Sequence, residues 1–285
     1  MPDYVILIMI SSKFMDTLSY FHLSEQPFRI SPDPRFLYFS EQVKEAIAKC
    51  EFMARERIGP VYIYGPIGSG KTSMLRRLYE RLSQDERYNV ALLISPNIKS
   101  SNSFLRVIME SFDVKTERAY DQSLKNFEQF LIEMRKANRT PILLVDEAQN
   151  MNRDTLKLIH YLLNFETSTE KLLQIVLAGQ EELSTKILRY KELASRMFPI
   201  AINAMSLTDL EDMIRFRWMV AGGKEIPFDK ADTETFKVLY TYSKGLPRDA
   251  IKVCDEVLRE LIATNKTKAT HEAVEAIAKE LNLVA

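Results

Sequence analysis

The sequence predicts an α/β domain followed by a helical region, and three observations carry this prediction. Short apolar runs typical of strands alternate with amphipathic helical patterns from residue 41 to residue 205. The run at 61–64 leads directly into a glycine-rich loop and then into a helix-forming run. Strand-like runs stop before Ser206, and four amphipathic helices are predicted beyond it, at about 207–221, 230–243, 247–263 and 270–281.

The glycine-rich loop at 65–72 has the spacing G-x-x-x-x-G-K-T, in the strand–loop–helix context that this motif requires. Glycines let successive N–H groups turn inward, and the helix that follows adds partial positive charge at the same point. Lys71 can reach the outer phosphates, and the Thr72 hydroxyl can ligate Mg²⁺. We therefore predict a site for ATP and Mg²⁺. The residues of this segment predicted to bind the nucleotide are Gly65, Pro66, Gly68, Ser69, Gly70, Lys71, Thr72 and Ser73.

Composition describes an ordinary globular chain. Of its 285 residues, 46% are hydrophobic and 27% are charged, and the formal net charge is zero. The net charge therefore does not indicate a nucleic-acid or membrane partner. An anionic polymer would have to bind a local patch of positive charge. Cys50 and Cys254 lie far apart in helix-like runs, which predicts reduced core thiols in a cytoplasmic protein.

The first forty residues divide into a tail and an arm. The apolar run at 5–10 is too short to span a bilayer and lacks a basic leader, while Met15 precedes a polar run typical of a natural start. We expect residues 1–19 to be a flexible tail, with the true start at Met1 or Met15. The segment 20–39 alternates prolines with aromatic residues and cannot form a regular helix. It either wraps the nucleotide-binding core and borders the adenine, or only covers core surface. The expected domains are 20–205 and a helical lid at 206–285.

A second acidic motif follows the apolar run 142–145. Asp146 is placed to meet the metal ion, either as a ligand or through an intervening group, and Glu147 can polarise the attacking water. Because this pair lies about 75 residues after the loop, we predict that both act in ATP hydrolysis. Gln180 follows the strand-like run 172–178, where it either senses the γ-phosphate or is a simple turn residue.

Two arginines are candidate phosphate contacts. Arg196 precedes a short strand at 199–203 and can neutralise charge in the transition state, from a neighbouring subunit if necessary. Arg189 is a weaker candidate for that role. Arg248 follows Pro247 at a predicted helix start, where the helix dipole disfavours a cation. A phosphate partner would supply the reason for its position, so we predict that Arg248 contacts the nucleotide.

These stretches together resemble an AAA+ ATPase of the ExeA-like group, which includes the TnsC/TniB-type transposition regulators and is related to MuB. The resemblance covers residues 20–285 and rests on the stretches at 27–28, 31–38, 144–150, 165–167, 171–180 and 245–248. It implies a five-stranded parallel sheet in the order 5-1-4-3-2. It also implies a homo-oligomer, either a hexameric or heptameric ring or a helical filament, in which Arg196 acts across the subunit interface. Ser95-Pro96 departs from the family pattern, so ligands from that loop are not assigned.

The resemblance implies two different functions. Secretion-type members act at the cell envelope and usually carry a membrane anchor and a wall-binding region after the ATPase, whereas this sequence ends at Ala285. We therefore expect a cytoplasmic transposition regulator that assembles on double-stranded DNA with ATP, recruits a transposase, serves a target selector and has no membrane partner. A secretion-type ATPase is the alternative. A small-molecule kinase is disfavoured because the helical part lies C-terminal to the core.

The candidate DNA contacts follow the second strand. They are Lys99, Ser101, Asn102, Lys115 and Thr116. One or two cations per subunit, repeated along an assembly, can follow the phosphate backbone without reading sequence. The alternative is that these are ordinary solvated loop residues.

Overall fold

The computed structural model describes residues 16–31, 33–94, 98, 100–228 and 233–285, so the predicted tail up to residue 15 lies outside the described residues. Contacts within the chain divide it into two compact units. The sheet unit contains Glu41–Ile67 and Lys71–Asn203. The helical unit contains the chain up to Ser40, Gly68–Gly70 and Ala204–Ala285.

The described secondary structure alternates helices and strands in the sheet unit and is helical in the C-terminal part. In chain order the elements are α1 (Thr17–Phe21), α2 (Glu41–Arg55), β1 (Val61–Tyr64), α3 (Lys71–Ser83), β2 (Tyr88–Leu93), α4 (Ser101–Ser111), α5 (Tyr120–Lys136), β3 (Thr140–Val145), α6 (Arg153–Leu162), β4 (Gln174–Gly179), α7 (Glu181–Arg189), α8 (Lys191–Ala194), β5 (Phe198–Ala201), α9 (Leu207–Val220), α10 (Thr233–Ser243), α11 (Pro247–Ala263) and α12 (His271–Glu280). Short 3₁₀ turns cover Pro34–Phe36 and Ala148–Asn150.

The sheet has five parallel strands in the order β2-β3-β4-β1-β5. Read from the other edge, this is the order 5-1-4-3-2, so the predicted fold is confirmed. β1 is an interior strand, with Ile63 in register with Ala178 of β4 on one side and Ile200 of β5 on the other. The carboxyl ends of β1, β3 and β4 consequently meet at one edge of the sheet.

The sheet unit buries both faces of its sheet, as parallel sheets require. Alternate strand residues such as Tyr62, Leu143 and Val145 join one apolar cluster with side chains of α4 to α8. The intervening strand positions point to the opposite face, where α2 and α3 pack against the sheet. Every residue of β3 and β4 is buried, which explains their nearly continuous apolar sequence.

The helical unit has its own core, formed by α9 to α12 together with the N-terminal arm. Trp218 of α9 stacks on Phe28 of the arm, with ring centroids 6.3 Å apart, and Phe36 is buried in the same cluster. Segment 20–39 thus contributes to the core of the helical unit, whereas the sequence assigned it to the domain 20–205, and its contact with the adenine stays a prediction. The prolines and aromatic residues predict an irregular segment that buries its rings, but they do not say which apolar surface receives them.

A buried arginine holds the arm to α9. The Arg217 side chain donates three hydrogen bonds to arm carbonyls: to Pro27 at 2.8 Å, to Arg29 at 2.9 Å and to Phe36 at 3.2 Å. Its guanidinium also lies 4.9 Å from the centroid of the Phe36 ring. Burial lowers the pKa of Arg217 to about 10, so the side chain stays charged at neutral pH. An irregular segment has no regular backbone hydrogen bonds for its carbonyl groups. The Arg217 side chain supplies hydrogen-bond donors for three of them instead.

No helix in the described part of the chain is long and apolar enough to cross a membrane.

Replacing Arg217 with methionine should destabilise the protein by about 3 kcal/mol or more, because three arm carbonyls, those of Pro27 and Phe36 among them in buried bonds, lose their charged donor. Urea unfolding followed by tryptophan fluorescence reports the change directly, since Trp218 lies in the same core. Arg259→Met is the matched control, because Arg259 is 65% exposed and pairs with Asp255 on the surface. That control should change the stability by about 0.5 kcal/mol or less. Equal effects of the two substitutions would show that Arg217 does not anchor the arm.

Candidate functional site

The glycine-rich loop connects the carboxyl end of β1, at Tyr64, to the first residue of α3, Lys71. Its first residue has to be glycine, because a Cβ on Gly65 would lie 2.0 Å from the carbonyl oxygen of Ile202. The loop ends at a helix N-terminus, with Thr72 and Ser73 in the first turn, which is a geometry that attracts phosphate groups. The structure thus has the strand–loop–helix arrangement that the sequence predicts.

Lys71 is held over its own loop. The side chain is 8% exposed, and its Nζ donates to the carbonyl oxygens of Gly65 at 3.0 Å and Pro66 at 2.7 Å. These bonds keep the ammonium group beside the loop, so a phosphate arriving there would meet a positive charge that is already in place.

Asp146 lies at the carboxyl end of β3 and is 3% exposed. The Thr72 hydroxyl donates a hydrogen bond to its carboxylate. Burial raises the pKa of Asp146, while the bond from Thr72 and the charge of Lys71 act in the opposite direction. A buried carboxylate beside a hydroxyl oxygen is a donor set that suits Mg²⁺, and a bound cation would offset the burial of this negative charge. The residues present therefore fit the predicted ion.

Glu147 and Gln180 are connected through a residue that the sequence analysis did not assign. The Glu147 N–H donates to Asp146 Oδ1 at 2.9 Å, and its carboxylate accepts a hydrogen bond from Gln149 Nε2. Gln149 Oε1 in turn accepts from the backbone N–H of Gln180 at 3.1 Å. The available signal was a glutamine in the short turn after an apolar strand, where a buried polar side chain needs partners.

Arg248 occupies the second position of α11, after Pro247, as the sequence predicts. Within the helical unit its backbone N–H donates to the carbonyl oxygen of Gly68 at 3.2 Å. Gly68 has φ +84°, and a Cβ there would lie 2.8 Å from Arg248 Cβ, so this contact requires a glycine. The contact of the Arg248 side chain with nucleotide stays a prediction.

Arg196 is exposed, and its guanidinium donates a hydrogen bond to Asn164 Oδ1, two residues beyond the end of α6. Arg189 is also exposed and is the last residue of α7. The hydrogen bond to Asn164 therefore does not hold Arg196 at the glycine-rich loop of its own chain.

The candidate DNA contacts do not form one cluster. Ser101 and Asn102 lie in the first turn of α4, and the Ser101 hydroxyl donates to the Asp154 carbonyl at 2.8 Å. Lys115 and Thr116 follow the other end of that helix, where Lys115 pairs with Glu117 at 3.0 Å. Since an 11-residue helix is about 16 Å long, the structure separates these two pairs. Lys99 lies outside the described residues.

Replacing Asp146 with asparagine should stabilise the nucleotide-free protein while abolishing Mg²⁺-dependent nucleotide binding. Because burial raises the pKa of Asp146, ionisation at pH 7 destabilises the fold, and the neutral amide removes that penalty. We expect the Tm to rise by about 2 to 4 °C at pH 7. The gain should shrink as the pH falls through the ordinary carboxyl range, where Asp146 is protonated in both states. Calorimetry with and without MgATP measures both effects, and a fall in the Tm of the nucleotide-free protein would contradict the prediction.

Comparison with known protein sequences finds a family match and a curated relative. Residues 54–187 match the AAA domain family. The chain is 31% identical over 270 residues to general secretion pathway protein A of Aeromonas hydrophila, which covers 92% of this chain and 48% of the relative. The chain thus spans about half the length of that relative.

Comparison with solved structures confirms the fold. Cdc6p from Pyrobaculum aerophilum superposes with a TM-score of 0.65 at 16% identity, covering 89% of this chain and 70% of that one. The Drosophila ORC bound to DNA superposes with a TM-score of 0.64 at 18% identity, covering 92% of this chain and 67% of that one. The family match identifies residues 54–187 as an AAA domain, and the five-stranded parallel sheet that contains this segment has the order that the resemblance implies.

Proposed function

We propose that this ATPase is a cytoplasmic regulator of DNA transposition, which assembles with ATP on double-stranded DNA and recruits a transposase, under the direction of a target selector. The observation that carries the proposal is the position of Arg196, exposed and bonded to Asn164 while the hydrolytic side chains are buried or half-buried. An ATPase whose charge-neutralising arginine comes from a second subunit hydrolyses ATP only when assembled. Assembly and hydrolysis are then coupled, as an ATP-gated regulator needs.

The proposed hydrolysis assigns one task to each side chain. Thr72 and Asp146 hold Mg²⁺, which when bound neutralises phosphate charge, and Lys71 binds the outer phosphates. Glu147 orients the attacking water and accepts its proton. Gln180, at the end of β4, senses the γ-phosphate, and Arg248 contacts the nucleotide. Arg196 of a neighbouring subunit stabilises the charge that develops in the transition state.

The proposed DNA contacts centre on the N-terminus of α4. Ser101 and Asn102 lie in the first turn of α4, where the backbone N–H groups of a helix N-terminus and the Asn102 amide favour a phosphate. Lys99 precedes this turn in the sequence. Lys115 and Thr116 would contact DNA separately, about one α4 length away. Such contacts position a protein on the duplex without reading bases, so the proposed binding is sequence-independent and sensitive to salt. The solved Drosophila ORC structure, which contains a chain of this fold, is bound to DNA.

A secretion-type function is the second candidate, and the similarity to general secretion pathway protein A favours it. Such a protein would use the same ATPase cycle to assemble envelope machinery. The two functions differ in whether the assembled protein binds DNA.

Duplex DNA binding distinguishes the two candidates. We expect binding to random-sequence DNA with ATP and little binding with ADP or without nucleotide, with rings or filaments visible by electron microscopy. Lys71→Ala should lose both, because the ammonium group that binds the phosphates is gone. Glu147→Gln should retain both, because it binds ATP without hydrolysing it. Absence of DNA binding in every nucleotide state would exclude the transposition regulator and favour the secretion-type function.

Mixing two inactive variants tests the role of Arg196 between subunits. Glu147→Gln binds ATP without hydrolysing it, and Arg196→Ala cannot complete a neighbour's site, so each alone should lose ATPase activity by about 10³-fold. A mixture should recover a measurable fraction, because some interfaces combine an intact Glu147 with an intact Arg196. Arg189→Ala serves as the control and should retain most of the activity. If the mixture stays inactive while both variants still assemble, Arg196 does not act in trans.

A further inference from the structure

We infer that Gln149 is a positioning residue for ATP hydrolysis, which holds the Glu147 carboxylate and connects it to the tip of β4 at Gln180. The inference rests on the proposed role of Glu147 and extends it to a residue that neither the motif nor the comparisons assign.

Glu147 needs such a support. Its backbone has φ +53° and ψ +33°, a left-handed conformation that is uncommon for a residue other than glycine. This turn lets its N–H donate to Asp146 Oδ1 and directs its carboxylate to Gln149 Nε2. The side chain is half-buried, so the bond from Gln149 restricts a carboxylate that would otherwise sample several rotamers.

The two ends of the Gln149 amide have different partners, which fixes its orientation. Oε1 accepts from the Gln180 N–H, where only an oxygen can serve, and Nε2 donates to the Glu147 carboxylate, where only a donor can serve. Gly179 leaves room for this arrangement, since a Cβ there would lie 2.7 Å from Gln149 Oε1. The amide is thus a rigid bridge between the ends of β3 and β4.

The main chain of Gln149 is anchored as well. It lies in the 3₁₀ turn Ala148–Asn150, and the Lys186 Nζ of α7 donates to the carbonyl oxygens of Gln149 and, at 3.0 Å, Met151. Because α7 begins directly after Gln180, both the backbone and the side chain of Gln149 are tied to the same element. A displacement at Gln180 caused by the γ-phosphate would therefore move the Glu147 carboxylate.

This arrangement makes a kinetic prediction. Loss of the bridge should lower kcat by about 10- to 100-fold, because a misplaced base orients water poorly. The KM for ATP should change by less than about 2-fold, because Lys71, Thr72 and Asp146 are untouched.

Two substitutions of Gln149 and one matched control test the inference in the 285-residue chain. Gln149→Glu keeps an oxygen for the Gln180 N–H but removes the donor to Glu147, whereas Gln149→Met removes both bonds. Gln174→Met is the control, because Gln174 is a second buried glutamine of the sheet unit, at the opposite end of β4, with a bond to the Lys171 carbonyl. Steady-state ATPase assays, nucleotide affinity with a fluorescent ATP analogue and the Tm are measured for each, with Glu147→Gln beside them.

Both Gln149 variants should lose kcat with unchanged affinity, and Gln174→Met should keep kcat within about 2-fold. If Gln149→Met does not fold, Gln149→Glu still tests the inference, because the glutamate side chain has nearly the same shape as the glutamine that it replaces. If Glu147→Gln is inactive while both Gln149 variants hydrolyse ATP normally, the bridge is overturned and the role of Glu147 stands. If Glu147→Gln remains active, the role of Glu147 fails and the inference fails with it. A parallel fall of kcat, affinity and Tm in the Gln149 variants would also overturn the inference, by showing a merely structural role.

Discussion

The burial of the Asp146 carboxylate at the end of β3 is the constraint on which the nucleotide site depends. A negative charge in this position is tolerated because the Thr72 hydroxyl donates to it and Lys71 lies near it. Both partners belong to the first turn of α3. The carboxylate therefore fixes the position of the helix N-terminus that follows the glycine-rich loop. The parallel sheet makes this possible, since it brings the ends of β1, β3 and β4 to one edge.

The helical unit follows the same physical rule with the opposite charge. Arg217 is buried without a carboxylate among its hydrogen-bond acceptors in the described structure, and three backbone carbonyls of the arm take that place. Dispersed carbonyl dipoles stabilise a guanidinium without adding a second buried ion. The arrangement explains how an irregular segment that contains several prolines can form part of a core.

The sequence predicted the features that depend on local chemistry. The glycine-rich loop, the Asp146-Glu147 pair and the order of the elements follow from residue types at fixed spacings, and the sheet order followed from the resemblance. The sequence could not predict which core the arm packs into, because its aromatic rings could be buried in the core of either unit. Gln149 was missed because its partners, Glu147 and Gln180, meet only after two strands pair. The separation of Asn102 from Lys115 likewise depends on the straight path of α4.

The bond between Arg217 and the arm also constrains how this chain matures on the ribosome. Pro27 and Arg217 are 190 residues apart, and the whole sheet unit lies between the two segments they belong to. At about 5 to 20 residues per second, the arm waits roughly 10 to 40 s for its arginine. During that interval its aromatic rings have no core of their own, while the sheet unit is already being completed. The arm is thus the first segment synthesised among those described and one of the last to reach its native partners.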